Sequence, residues 1–134
     1  MKRSGLLTSL IFALAAAVGC GPARAESSEI KAWIEVRSSD RLHTFTALAG
    51  TTGEAEIRYD LLVIKEGPSG RSRTRQGGRH RLVVGENAQL STTTLGLDWD
   101  DTYCLVLRVY RGGEVASTAT LAKPDNTEPC PREQ

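Results

Sequence analysis

The segment that most limits what this chain can become is 103–110, Tyr-Cys-Leu-Val-Leu-Arg-Val-Tyr. Its odd positions, Tyr103, Leu105, Leu107 and Val109, are all apolar or aromatic. Its even positions, Cys104, Val106, Arg108 and Tyr110, are mixed. Side chains that alternate with period two line opposite faces of a strand. The odd set therefore makes a buried face and the even set a partly solvated one. No long 3.6-residue pattern follows residue 25, so the core must lie between sheets rather than between helices.

Ahead of this strand, Leu97 stands six residues before Tyr103, across the acidic turn Asp98-Trp99-Asp100-Asp101. A leucine, a tight polar turn and a tyrosine opening a core strand resemble the tyrosine corner of Greek-key sandwiches. In that device the ring is buried and its hydroxyl bonds back to turn backbone. On this reading Leu97 and Tyr103 are structural residues. The plainer alternative is an aromatic that merely opens a strand.

The rest of the chain supplies partners of the same kind. Ile30, Ala32, Ile34 and Val36 alternate with Lys31, Trp33, Glu35 and Arg37, and Trp33 is out of place on the polar side. A second strand over 41–49 buries either Leu42, Thr44, Thr46 and Leu48 or the Phe45 face; the period does not decide. Over 54–65, Ile57, Tyr59, Leu61 and Val63 share one face, and Leu62 and Ile64 make the end apolar on both. That pattern suits a central strand. Residues 71–81 form a basic stretch that Gly77-Gly78 is expected to break or bulge. A Thr-rich strand covers 88–95. Arg111-Gly112-Gly113-Glu114 predicts a hairpin turn, because paired glycines supply the positive φ of a two-residue loop. A last strand covers 115–121. Seven or eight short strands with regular turns predict an all-β chain, an immunoglobulin-like antiparallel β-sandwich. A small closed barrel is the alternative.

Residues 1–25 have the layout of an export signal: Lys2 and Arg3, an apolar run over 6–18, and Ala23-Arg24-Ala25 before Glu26. The run is shorter than the roughly 20 residues that span a bilayer. A lipoprotein signal acylated at Cys20 is the rival, and soluble export is favoured. The expected organisation is a signal peptide over 1–25, one sandwich domain over 26–122 and a Pro-rich tail over 123–134. Removing Lys2, Arg3 and Arg24 turns a formal charge of +1 into −2. The exported chain is then no general nucleic-acid binder, and no stable membrane association is expected.

Chemistry is sparse. His43 and His80 have no second metal ligand nearby in sequence, and Cys104 and Cys130 lack C-x-x-C spacing. Asp98, Asp100 and Asp101 lack the spacing of a calcium loop and are expected to be a solvated turn. No nucleophile elbow, zinc-protease motif or phosphate loop is present. The expectation is a non-enzyme with no catalytic residue, cofactor or metal. Losing Cys20 with the signal leaves an even pair, Cys104 and Cys130. Antiparallel pairing of the last two strands would let nine tail residues carry Cys130 back to Cys104, so a disulfide is a candidate. Two free thiols are the alternative.

Arg71, Arg73 and Arg75 are the anomaly. Alternating with Ser72, Thr74 and Gln76, they put three guanidinium groups on one face of a strand. Such a row guards a sheet edge against further pairing. It also offers fork donors to an acidic or amide-rich partner.

With the signal-like segment, the stretch Arg75-Gln76-Gly77-Gly78 followed by Leu82 and Glu86, and the Leu97-to-Tyr103 corner, the chain resembles the CsgH family of periplasmic curli assembly chaperones of alphaproteobacteria. The resemblance covers roughly 30–121. It implies an immunoglobulin-like monomer that inhibits premature amyloid polymerisation of curli subunits during fibre assembly. The partner it implies is a CsgA-like major subunit, with Arg71, Arg73 and Arg75 as candidate contacts. The functional analogue CsgC carries a C-x-C pair that this chain lacks, so no redox role is carried over. The alternative function is a general extracytoplasmic immunoglobulin-like binding or adhesion module.

Overall fold

The computed structural model describes residues 28–123 and Cys130. The expected export segment, with Cys20, lies outside the described residues, as does the tail beyond residue 123 except for Cys130.

Seven antiparallel strands follow one another: β1 (Ile30–Ser39), β2 (Leu42–Thr51), β3 (Ala55–Gly67), β4 (Gly70–Leu82), β5 (Ala88–Gly96), β6 (Thr102–Arg111) and β7 (Glu114–Lys123). They make a three-stranded sheet in the order β1-β2-β5 and a four-stranded sheet in the order β4-β3-β6-β7. The described residues contain no helix. This is the β-sandwich predicted from alternation, with the fourth strand on the wider sheet.

The core lies between the sheets. Leu61, Val63, Leu105, Leu107 and Val109 of the wide sheet meet Phe45, Ala47 and Ala49 of the narrow one, all essentially inaccessible. The ambiguity in β2 is resolved for the Phe45 face, and Leu42 is left 55% exposed. Phe45 is flanked by small Ala47 and Ala49, so its ring has room to meet Tyr103 edge-on at 5.0 Å. As its two-faced apolar end suggests, β3 is central, paired with both β4 and β6.

Gly77-Gly78 does not break or bulge β4. The β3–β4 register runs without a shift from Ala55↔Leu82 to Gly67↔Gly70. The reason for the glycines lies on the neighbouring strand. A Cβ on Gly78 would sit 3.1 Å from the Tyr59 hydroxyl oxygen, and one on Gly77 would sit 3.0 Å from the Tyr59 carbonyl oxygen. The glycines accommodate Tyr59 while the ladder continues. In the β6–β7 hairpin, Gly112 and Gly113 have φ of 59° and 82°, as a two-residue loop with left-handed residues requires.

The acidic turn is not wholly solvated. Asp101 is buried, accepts a hydrogen bond from Asp98 N at Oδ2 (2.8 Å) and lies 3.7 Å from Lys65 Nζ. Lys65 Nζ also donates to Gly96 O. A buried carboxylate needs such partners. A Cβ on Gly67 would overlap the Asp101 carboxylate, coming within 2.8 Å of its Cγ. Leu97 is buried, and its N–H donates to Arg41 O at 2.7 Å.

Candidate functional site

The register places Arg71, Arg73 and Arg75 together on the outer face of the wide sheet, on its edge strand β4. All three are exposed. Their cross-strand neighbours on β3 are Glu66, Ile64 and Leu62. Arg71 Nε lies 3.1 Å from Glu66 Oε1, and Arg75 Nε lies 3.6 Å from Asp60 Oδ1. Arg75 reaches Asp60 diagonally, beside Gly77, which is Asp60's direct partner and has no side chain to intervene.

Between the arginines and β7 lies a second apolar cluster on the outer face. Leu62, Ile64, Cys104 and Val106 are buried there with Cys130, and Ala122 packs against them. Cys104 and Val106 were expected to be partly solvated as even positions of β6. They are buried because Cys130 covers this face. Cys104 and Cys130 are joined by a disulfide, with Cα atoms 5.6 Å apart. The same sheet face thus holds a row of guanidinium groups beside a closed apolar strip.

Several members of the face were not singled out from the sequence. Arg58 stands opposite Arg79 on β4 and opposite Tyr110 on β6. Its guanidinium carbon lies 4.7 Å from the Tyr110 ring centroid, a cation–π contact. Arg108 stands opposite Asp60. Arg81 pairs with Glu54. Arg79 and Arg81 belong to the basic stretch over 71–81, whereas Arg58, Arg108 and Tyr110 come from other segments that only the strand register brings beside it.

Where β4 approaches β5 at the rim of the sandwich, Gln76 forms the link. Its Nε2 donates to Thr93 Oγ1 at 3.0 Å, and its Oε1 accepts from Ser91 Oγ. Gln76 therefore turns inward, while Arg75 turns outward. At the opposite rim Ala32 N donates to Ser117 Oγ at 2.9 Å, joining β1 to β7.

His43 and His80 do not come together as a metal centre. Among the described residues, no group of three or more His, Cys, Asp or Glu side chains could hold a metal ion. No helix among them is long and apolar enough to cross a membrane.

The fold has counterparts among solved structures. R. palustris CsgH superposes with a TM-score of 0.58 at 21% identity, over 69% of this chain and 90% of its own. The E. coli curli protein CsgC superposes with a TM-score of 0.59 at 23% identity, over 73% of this chain and 99% of its own. The chain shares the fold of CsgH and CsgC. Nearly all of CsgC is matched, so the likeness concerns the whole sandwich and not one motif of it. No protein-family model matches the chain, and no curated protein sequence does.

Proposed function

We propose that this chain is a periplasmic curli-assembly chaperone, a non-enzyme that keeps curli subunits from polymerising before export is complete. The observation that carries this reading is the whole-domain likeness to the curli protein CsgC. The exposed row Arg71, Arg73 and Arg75 on β4 agrees with it. Amyloid-forming segments grow by adding strands to open edges. A sandwich whose edge strand carries charges can meet such a segment without becoming its template. Contacts made by exposed charges are weak and fast, which suits transient engagement of a CsgA-like subunit by a monomeric chaperone. The proposed mature chain begins at Glu26; a mass spectrum showing a lipidated Cys20 instead would place it on a membrane.

The test is the triple variant Arg71→Ala, Arg73→Ala, Arg75→Ala in a thioflavin assay with purified curli subunit. It should fold, losing at most about 1 kcal/mol of stability per residue. It should also restore a short lag phase where the parent prolongs it. Inhibition by the parent should weaken as salt shortens the Debye length from about 10 Å at 0.1 M to about 3 Å at 1 M. A folded triple variant that inhibits as well as the parent would sink the arginine-face mechanism. A parent that does not prolong the lag would sink the function.

A further inference from the structure

We propose that Arg58 and Arg79 form a carboxylate clamp, a site for one acidic side chain of an extended partner chain. The two residues are direct cross-strand neighbours on the outer face of β3 and β4. Like charges directly opposite each other on a sheet repel, so the pairing needs an explanation. Nearby arginines have carboxylate partners: Arg71 has Glu66, Arg75 has Asp60 and Arg81 has Glu54. Among the described residues, no carboxylate lies within ion-pair distance of Arg58 or Arg79.

The surroundings leave space for a ligand and hold one arginine in place. Arg58 rests against the Tyr110 ring, which limits its freedom and draws its guanidinium toward β6, the neighbour of β3 opposite β4. Two shallow hollows adjoin the pair. One of about 270 Å³ is lined by Glu56, Arg58, Arg79, Tyr110, Gly112 and Gly113. The other, of about 400 Å³, includes Gly77 and Gly78 in its lining. The glycines keep both approaches low.

Glu56 and Asp60 flank Arg58 two residues away on the same face of β3 and offset part of the positive charge there. The larger charge of a phosphate would raise its repulsion from these acids and its attraction to the arginines alike, so the preference for a carboxylate rests on geometry and on the peptide around it. Guanidinium forks match the planar pair of oxygens of one carboxylate. This clamp stands on the cross-strand pair itself and holds whether or not the partner is a curli subunit.

The experiment uses the folded chain and three probes at low salt. One is a blocked Gly/Ser/Gln octapeptide with one central glutamate, the second is its glutamine counterpart, and the third is inorganic phosphate. The readout is the NMR signals of the arginine Nε–H groups. The glutamate peptide should shift Arg58 and Arg79 saturably, and the glutamine peptide should not. Arg58→Gln and Arg79→Gln should each weaken binding by about two- to fivefold. Arg37→Gln, on the other sheet, should leave it unchanged. Relief of repulsion should also raise the melting temperature of Arg79→Gln by about 1–4 °C. No saturable shift would overturn the clamp. So would phosphate binding as tightly as the glutamate peptide, an Arg37→Gln loss as large as the others, or a lower melting temperature for Arg79→Gln. A functional chaperone without the clamp would separate this failure from failure of the curli reading.

Discussion

The two outer faces of the sandwich differ in kind. The narrow sheet presents Thr44 and Thr46 of β2 beside Thr94 and Thr92 of β5, with Trp33 and Glu35 on β1. Thr44 and Thr94 share a hydrogen bond of 3.1 Å between their hydroxyls, and the Trp33 ring lies 3.6 Å from where a Cβ on Gly50 would be. Trp33, out of place in the sequence pattern, is thus accommodated by a glycine on the next strand. The wide sheet presents rows of guanidinium groups, carboxylates and a covered apolar strip. A β-branched hydroxyl face needs no partner to be comfortable in water or in a sheet. A crowded charged face with a like-charge pair gives up some stability, and it is the face on which we propose partner recognition.

The largest test of that contrast concerns what closes the apolar strip. Replacing Cys104 and Cys130 together by Ser removes a cross-link between residues 26 apart in sequence. The expected loss is about 3 kcal/mol, read from guanidinium unfolding, with no free thiol titrating in the denatured, unreduced parent. Two free thiols in the parent would remove the bond from the account. Next comes the rim between the sheets. Gln76→Ala deletes both links to Ser91 and Thr93 and should cost about 1–2 kcal/mol. Amide exchange should quicken in β4 and β5 more than in β6. Uniform quickening would mean that Gln76 is no local fastening. The smallest effect is expected on the narrow face. Thr44→Ser with Thr94→Ser should move stability by no more than about 0.5 kcal/mol and leave the curli lag phase as the parent sets it. A lost lag there would reverse the comparison and move the partner site to the threonine side.

Elements whose fate is settled by their own residues were legible in the sequence. The buried face of β6, the central position of β3 and the Gly112-Gly113 hairpin all follow from local alternation or local φ. The sequence was less informative where the cause sits on another strand. In β2 the buried side is built from Phe45 and two alanines, and alternating threonines opposite look nearly as apolar. Gly77-Gly78 answers to Tyr59, 18–19 residues earlier. Asp101 is buried because Lys65 reaches it from β3, and nothing within the turn announces that. The candidate site was half visible for the same reason. Arg71, Arg73 and Arg75 recur along one strand and declare themselves. Arg79 shares their strand and parity, whereas Arg58, Arg108 and Tyr110 join them only through pairing with β3 and β6.

The contact between Gly67 and Asp101 has a consequence for how such a chain can drift over generations. The two positions occupy one volume, since the carboxylate fills the space a side chain at 67 would need. Position 67 cannot gain a side chain while Asp101 keeps its place. A lineage that trades Gly67 for a larger residue must give up the reach of Asp101, and with it the capped turn ahead of β6. Descent from a common ancestor would then show in this pair as a joint change, even where the surrounding letters have diverged past recognition.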